Sequence, residues 1–228
     1  MKLVEVGPIL AIDTSGATAS VALYRNQVLG ECSWQSGRRH SVELLRAVDE
    51  VLQLAGTDKR SLAALAVAAG PGSYSGLRVG ISTAMVMALA LGIGVVQAPT
   101  LDVMAWGQAA LADPRSGRAI RAAIDVGRGH FGTARFRRVD QHLEHESRIE
   151  NVGLGELMEM AAVERCHLVV DLDPATREQV ERHYGARVEL ASPAASMRRA
   201  GFLAELAAAR IRRGEAVGGA AVEPIYLR

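Results

Sequence analysis

The first part of the chain alternates short apolar runs with longer helical patterns. Three apolar runs within 9–34 are separated by polar turns, which predicts a meander of three strands. The first strand ends at Asp13 and is followed by the small polar residues 14–16. A helix is predicted over 41–55, between a serine that suits an N-cap and a glycine that ends it.

A glycine turn and a long apolar helix lie at the centre of the sequence. The apolar run 62–69 predicts a buried strand, which Gly70-Pro71-Gly72 closes because glycine tolerates positive φ and proline cannot extend a strand. The turn is expected to end at 75 or 76. The helix over 77–91 is apolar on every side, and a strand over 93–98 follows. A helix without a polar face is usually buried all round. Because a sheet covers only one side, we expect a neighbouring helix or another protein to cover the other.

The helix over 41–55 also carries more apolar surface than a sheet can cover. A single apolar stripe is enough to pack a helix on a sheet. This helix has one stripe at Leu44, Val48, Val51 and Ala55 and a second at Val42, Leu45 and Leu52. Two helices with surplus apolar surface predict a helical interaction surface.

The second half of the chain repeats the pattern of the first. A strand predicted over 119–125 again ends in a carboxylate, Asp125, and a return strand over 131–137 and a third strand near 145–152 complete a second meander. Helices are predicted at 154–164, 174–184 and 196–213, with short strands at 167–171 and 187–190. This duplication is typical of the α/β, two-lobe fold of actin, sugar kinases and Hsp70 (ASKHA).

We therefore expect two lobes. The N-terminal lobe is predicted over 1–102, with a tail, 214–228, that can pack on it. The C-terminal lobe is predicted over 103–213.

Composition narrows the class of protein. The chain has 228 residues, of which 49% are hydrophobic and 22% charged, as in ordinary α/β proteins. A net charge of +1 gives no electrostatic case for a protein that binds nucleic acid by itself. The local basic runs at 135–138, 198–199 and 210–213 are interpreted as solvated faces.

The compartment predicted from the sequence is the cytoplasm. Cys32 and Cys166 lie far apart and lack metal-ligand spacing, so we expect reduced thiols. Glu5 and Pro8 interrupt the apolar stretch that a signal peptide needs. Polar residues and glycines break the apolar run 81–96, so no membrane span is expected.

The glycine turn does not match a phosphate loop. Gly70, Gly72 and Gly76 fit neither the Walker spacing nor the dinucleotide fingerprint. Arg78 opposes the helix dipole in the first helical turn, so we expect either an anionic partner side chain or solvent around it.

The two Asp turns are candidate vestigial phosphate hairpins, at Asp13, Thr14 and Ser15 and at Asp125. In the actin-like fold such turns hold the phosphates of ATP and its metal. A small ATP-dependent kinase is therefore the alternative function. Few glycines follow either Asp, which does not favour close approach to a triphosphate.

Four stretches carry a resemblance to a known family. They are I-L-A-I-D-T-S at 9–15, R-H-S-V-E-L-L at 39–45, A-G-P-G-S-Y-S-G-L-R-V-G-I-S-T-A at 69–84 and P-I-Y-L-R at 224–228. The chain resembles the TsaB (YeaZ) family, closely over 9–104 and more loosely afterwards. It departs from the family pattern at Ser75, where Thr is common, and at Val126-Gly127, where Ala-Arg is usual.

The resemblance implies a non-catalytic scaffold or activator subunit for forming threonylcarbamoyladenosine (t6A) in tRNA. Such a subunit acts by binding the catalytic subunit TsaD, and through it TsaE and tRNA. TsaD holds a metal partly through an H-x-x-x-H segment, and Leu101 and Ala105 stand in those positions here. Neither side chain can bind a metal. No catalytic residue, metal or cofactor is therefore expected, and M22-type glycopeptidase activity is not expected either.

The histidine spacing does not predict a metal site either. Only His142 and His145 are close in sequence, and their spacing in a strand or turn does not bring both rings to one face.

The resemblance also places the partner-binding surface on the two surplus-apolar helices. In the family these helices pack as a four-helix bundle against the equivalent pair of TsaD, or against a second copy of the same chain when TsaD is absent. The implied contact residues are Val42, Leu45, Asp49 and Leu52 on the first helix and Arg78, Ser82, Met85 and Leu89 on the second. The alternative is that these residues pack within their own lobe.

Overall fold

The computed structural model describes residues 6–36, 40–111, 118–139, 142–215 and 222–227. The strands are β1 (Ile9–Asp13), β2 (Thr18–Tyr24), β3 (Val28–Gln35), β4 (Ala64–Ala68), β5 (Gly94–Ala98), β6 (Ile120–Gly127), β7 (His130–Val139), β8 (His142–His145), β9 (Glu150–Gly153), β10 (His167–Val170) and β11 (Glu189–Leu190). The helices are α1 (His40–Leu54), α2 (Tyr74–Leu91), α3 (Thr100–Leu111), α4 (Leu154–Glu164), α5 (Pro174–Tyr184), α6 (Pro193–Ser196) and α7 (Ala200–Arg212), with a short 3₁₀ helix at Lys59–Ser61.

The described residues divide into two compact units. The first contains those up to Val103 together with Arg198–Tyr226, and the second contains Met104–Met197 and Leu227. The sheet of the first unit has the order β3-β2-β1-β4-β5. Its strands β1, β2 and β3 form an antiparallel meander, and β4 and β5 run parallel to β1.

The second unit repeats this topology. Its sheet has the order β11-β10-β6-β7-β8, with β9 also pairing with β7. The antiparallel hairpin β6-β7 corresponds to β1-β2, and β10 and β11 run parallel to β6 as β4 and β5 do to β1. The duplicated actin-like fold predicted from the two Asp-ending strands is therefore confirmed.

Helices cover both faces of the first sheet. Successive strand residues point to opposite faces. Leu10 and Ile12 of β1 belong to one core cluster with Leu44 of α1 and Leu77 of α2, so α1 and α2 pack on the same face. The alternate position Ser20 of β2 accepts a hydrogen bond from the first backbone N–H of α7, at 2.9 Å. The helix α7 therefore covers the opposite face, where it contacts β1, β2, β4 and β5.

The helix α7 differs from the predicted lobe boundaries. We expected it in the C-terminal lobe over 103–213, but it belongs to the first unit. Side chains of β2 and β3 stabilise its N-terminus, since Ser20 bonds the N–H of Ala200 and a Glu31 carboxylate oxygen accepts from the N–H of Gly201 at 2.9 Å. The sequence did not predict that α7 joins the first unit, because the side chains that cap it come from strands early in the chain.

Two smaller elements also differ from the expectations. Helix α2 begins at Tyr74, before the predicted end of the turn, because the Ser73 hydroxyl caps it by accepting from the Gly76 N–H at 3.3 Å. The third strand of the second meander is two strands, β8 and β9, both of which pair with β7.

The basic runs make contacts within their own unit, and Arg199 and Arg213 are exposed as the sequence interpretation expected. Arg135 and Arg137 both pair with Glu146, and Arg138 donates to the carbonyl of Ala109 at 2.6 Å. In the first unit Arg199 pairs with Glu31, Arg210 lies 3.4 Å from Asp102, and Arg198 is buried. The ion pairs among these contacts neutralise part of the charge that a nucleic-acid surface would need.

Helix α2 is the one helix among the described residues that is long and apolar enough to cross a membrane. Its buried residues include Leu77, Ile81, Ala84 and Ala88, and the helix contacts β4, β5 and β1. It therefore serves as a core helix of the first unit.

A buried ion pair joins β6 to α4 in the second unit. The Arg121 side chain is 1% exposed, and its Nε and Nη2 atoms donate to the two carboxylate oxygens of Glu164 at 2.8 and 2.5 Å. Thr133 and Glu150 are further neighbours of the same guanidinium, at 3.4 and 3.8 Å. A guanidinium at this depth depends on its carboxylate partner.

We expect Glu164→Ala to lower the free energy of unfolding of the second unit by about 3 kcal/mol, because it leaves a buried guanidinium without its bidentate partner. The matched control is Glu178→Ala, which breaks an exposed ion pair to Arg182 and should cost less than about 1 kcal/mol. Urea unfolding followed by circular dichroism measures both. Equal losses in the two variants would contradict the structural role of the buried pair.

The thiol of Cys166 is buried in the second unit. Burial, with a smaller contribution from the Glu164 carboxylate, raises its pKa to about 11. Burial also raises the pKa of Cys32. Only the thiolate reacts with alkylating agents.

We therefore expect slow alkylation of Cys166 by iodoacetamide at pH 8, where a thiol of pKa about 11 is ionised in about one molecule in a thousand. The rate should rise as pH approaches that pKa, and it should rise at once when the protein is unfolded in urea. Mass spectrometry of the labelled peptides gives the rate at each cysteine. Equal rates at Cys166 in folded and unfolded protein would show that the thiol is accessible and ionised.

Candidate functional site: the α1–α2 helix pair

Helices α1 and α2 expose apolar side chains on the side turned away from their sheet. The two helices contact each other and pack on the same sheet face, so their outward sides form one surface. On α1 the exposed fractions are 71% for Val42 and 52% for Leu45, and on α2 they are 65% for Val86 and 76% for Leu89. We call this surface the helix-pair face, made of Val42, Leu45, Asp49, Arg78, Ser82, Val86 and Leu89.

Most of the contact residues implied by the resemblance lie on the helix-pair face. Val42, Leu45, Asp49, Arg78, Ser82 and Leu89 are exposed. Met85 is half-buried and packs against the core cluster of the first unit.

Leu52 is not on this surface, which corrects the sequence-based assignment. Its exposed fraction is 6%, and it belongs to the core cluster with Val48 and Val51. Its position one turn after Val48 directs it towards the sheet.

Val86 is a surface residue that the sequence interpretation did not include. The helix is apolar all round, so its pattern alone did not separate the inward side from the outward side. The small residues at 76, 80, 84 and 88 mark the inward side and were the available signal, since all four are buried.

The start of α2 is fixed by close contact with the turn after β1. The Thr14 hydroxyl donates to the carbonyl oxygen of Gly76 at 2.7 Å, and the N–H of Ser73 donates to the carbonyl oxygen of Ser15 at 2.8 Å. A Cβ at Gly76 or at Gly80 would lie far inside van der Waals contact with Thr14. These glycines therefore allow α2 to pack directly against the turn after β1.

Arg78 is exposed and has two tyrosines as neighbours within the first unit, so our expectation of a carboxylate on a partner or of solvent around it stays a prediction. Its Nε donates to the hydroxyl of Tyr226 at 3.2 Å, and its guanidinium lies 4.0 Å from the centre of the Tyr74 ring. The rings of Tyr74 and Tyr226 are 5.2 Å apart. This contact joins the C-terminal tail to the first turn of α2.

The tail is also bonded to the glycine turn. The N–H of Ile225 donates to the carbonyl oxygen of Ala69 at 2.7 Å, and a Cβ at Gly70 would lie 2.5 Å from the carbonyl oxygen of Ile225. The two resemblance motifs at 69–84 and 224–228 therefore form one structural unit. The sequence did not reveal this, because about 150 residues separate them.

The Asp13 turn uses its polar groups within the protein. Asp13, Thr14 and Ser15 are all buried, with exposed fractions of 0%, 3% and 0%. One carboxylate oxygen of Asp13 accepts from the Ser15 N–H at 2.9 Å and from the Ser15 hydroxyl at 2.5 Å. A carboxylate held in this way is not presented to solvent for metal and ATP, which does not favour the kinase alternative.

The Asp125 turn differs from the Asp13 turn in exposure. Asp125 is exposed, and its carboxylate accepts from the N–H of Gly127 at 2.6 Å. Three consecutive residues of this turn have positive φ, namely Gly127, Arg128 and Gly129.

The structure offers no metal cluster within its described residues, where no group of three or more His, Cys, Asp or Glu side chains is suitably placed. Leu101 and Ala105 are fully buried in α3. His142 and His145 lie at the two ends of β8, and the ring of His145 is tilted against that of Phe136 with 4.4 Å between ring centres.

A family model described as "TsaD: tRNA N6-adenosine threonylcarbamoyltransferase" matches residues 32–179. The TsaB protein of Escherichia coli K12 is 33% identical over 145 residues, which cover 63% of this chain and 61% of that protein. The TsaB protein of Bacillus subtilis 168 is 32% identical over 157 residues, which cover 67% of this chain and 65% of that protein.

The chain belongs to the TsaD family, as a TsaB-type (YeaZ) member. The resemblance predicted from the four motifs is thereby confirmed. The matched segments span just under two thirds of the length of these TsaB relatives.

Two solved structures confirm the fold over the whole chain. One is YeaZ from Pseudomonas aeruginosa, with a TM-score of 0.75 and 23% identity over 97% of this chain and 100% of that one. The other is a P. aeruginosa protein described as similar to the peptidase YeaZ, with a TM-score of 0.79 and 24% identity over 98% of this chain and 100% of that one.

The contact between α2 and the Thr14 turn makes a direct prediction. We expect Gly80→Ala to destabilise the first unit by about 2 kcal/mol, because the new methyl group overlaps the buried Thr14 side chain. Gly155→Ala in α4 is the matched control, since no atom lies within 4 Å of a Cβ at that position. There the higher helix propensity of alanine should leave stability unchanged or raise it by up to about 1 kcal/mol. Thermal unfolding measures both, and the same sign for both variants would refute the packing argument.

Proposed function

We propose that this chain is a non-catalytic subunit for forming threonylcarbamoyladenosine in tRNA and that it binds a TsaD-type catalytic subunit through the helix-pair face. Both the E. coli and the B. subtilis relatives are named tRNA threonylcarbamoyladenosine biosynthesis proteins. The observation that carries the proposal is the exposed apolar surface of α1 and α2.

The helix-pair face has the character of a protein interface. Contiguous apolar surface is rarely left in water on a soluble monomer, because covering it is favourable. It combines the exposed apolar side chains of valine and leucine with the polar side chains of Asp49, Arg78 and Ser82. Stable interfaces commonly combine apolar and polar side chains in this way.

The family match supports TsaD as the occupant of this face. A TsaD-type model matches residues 32–179 of this chain, a segment that includes both helices. A TsaD-type partner would therefore present an equivalent helix pair, and two similar pairs can pack about a pseudo-two-fold axis. In the absence of TsaD, a second copy of this chain would present the same helix pair. We therefore infer a homodimer that forms through the helix-pair face.

The remaining roles follow from this placement. With Leu101 and Ala105 in place of metal ligands, the transfer chemistry belongs to the TsaD partner. We infer that TsaE and tRNA join through TsaD, because the basic runs of this chain are paired within their own units. The cytoplasm is the compartment in which this assembly would work.

The experiment is co-purification of this chain with a TsaD subunit. Leu45→Glu and Leu89→Glu each place a carboxylate in the proposed interface, and we expect each to weaken TsaD binding by about 100-fold, through lost apolar burial and a desolvated charge. In the absence of TsaD the same variants should be monomeric by light scattering.

The matched control is Val163→Glu, which alters an equally exposed apolar residue, 78% accessible, on α4 of the second unit. It should bind TsaD as the unmodified chain does. Circular dichroism must show all three variants folded. If the α1 and α2 variants bound TsaD normally, or if the Val163 variant lost as much binding as they do, the interface would not lie on the helix-pair face.

A further inference from the structure

Two opposite charges are buried beside the same short turn of the first unit. Asp13 is 0% exposed and Arg198 is 3% exposed. No ion pair among the described residues joins them. One carboxylate oxygen of Asp13 and two guanidinium nitrogens of Arg198, Nε and Nη2, have no hydrogen-bond partner among the described residues.

The Ser15 side chain links the two charges. Its hydroxyl donates to the Asp13 carboxylate at 2.5 Å and accepts from Arg198 Nη1 at 2.7 Å. A hydroxyl that donates to an anion and accepts from a cation is polarised in one direction by both. Ser15 thus transmits the attraction between the charges without their direct contact.

Gly16 makes room for the guanidinium. A Cβ at position 16 would lie 2.7 Å from Arg198 Nη2 and 3.1 Å from Cζ. The Nη2 end of the guanidinium therefore occupies space beside Gly16 that a side chain would fill. Because Arg198 is buried, the guanidinium cannot swing aside as an exposed arginine would.

Energetics require a cation at this position. A carboxylate taken out of water is strongly unfavourable unless a positive charge or several donors compensate it. Among the described residues the Asp13 carboxylate accepts hydrogen bonds only from Ser15. The Ser15 hydroxyl, and Arg198 which donates to it, therefore compensate the buried negative charge. A guanidinium suits the role because it stays charged when buried.

We propose that the turn Asp13–Gly16 is a cation site of the guanidinium class and that Arg198 is its permanent occupant. Arg198 directly precedes the N-cap residue of α7, so the site also fixes the start of the helix that covers the second face of the sheet. The occupant explains how a turn with a phosphate-hairpin sequence can be stable as a closed, internal structure. The inference concerns this turn alone and does not depend on any partner of the chain.

The test is chemical rescue of Arg198→Ala. This change removes the cation and leaves a space shaped for a guanidinium, so we expect the midpoint of thermal unfolding to fall by roughly 10 °C. Millimolar ethylguanidinium chloride should restore part of the loss in a saturable way. Equal concentrations of sodium chloride should not restore it.

The matched control for rescue is Arg182→Ala, which removes an exposed arginine from α5. Ethylguanidinium should leave its midpoint unchanged. Gly16→Ala is a second control, because it keeps the arginine but fills its space, and its loss of stability should not be rescued. Rescue of Arg182→Ala to the same extent, or no saturable rescue of Arg198→Ala, would overturn the proposal.

A double-mutant cycle keeps the proposal testable should Arg198→Ala fail to fold. The variants are Asp13→Asn, Arg198→Met and the pair together, with midpoints of thermal unfolding as the readout. If the two charges compensate each other, the combined loss is clearly smaller than the sum of the single losses. Strictly additive losses would show that Arg198 is not the counter-ion of Asp13.

Discussion

The close contact between α2 and the turn after β1 is the constraint on which the first unit depends. Without side chains at Gly76 and Gly80, the helix backbone reaches Thr14 and accepts its hydroxyl bond. This contact turns the side of α2 that carries Gly76 and Gly80 towards the turn after β1. Val86 and Leu89 of the same helix lie on its outward side and are exposed.

Local sequence patterns were sufficient to predict the strands, the helices and the duplication of the fold. Apolar runs that end in Asp predicted β1 and β6 because a buried strand and a polar turn each have a distinct composition. The same approach failed for α7, whose N-terminal N–H groups are bonded by Ser20 and Glu31 from strands far earlier in the chain. Periodicity reports which residues form a helix but contains no information about which sheet the helix joins.

For the candidate site, the sequence pattern likewise identified the helices but not which side of a helix each residue occupies. Surplus apolar stripes identified the two helices, and most of the chosen residues are exposed. Leu52 was misplaced because an apolar residue on a doubly striped helix fits either side, and only packing against the sheet decides. The contact between Arg78 and Tyr226 could not be anticipated, since a charge in the first turn of a helix can be satisfied by any neighbour that the tertiary fold brings. The pairing of the basic runs with Glu146 and Glu31 was hidden in the same way.

The chain order of the first unit has a consequence for its synthesis. Helix α7 follows the segment Met104–Met197 of the second unit in the chain, and so is synthesised after it. Until α7 emerges, the nascent first sheet has α1 and α2 on one side and nothing of its own on the other. Domains that are continuous in sequence can fold as they emerge from the exit tunnel, whereas the first unit stays incomplete until α7 has emerged behind the segment Met104–Met197. The second unit is therefore able to finish folding before the first, although its codons are read later.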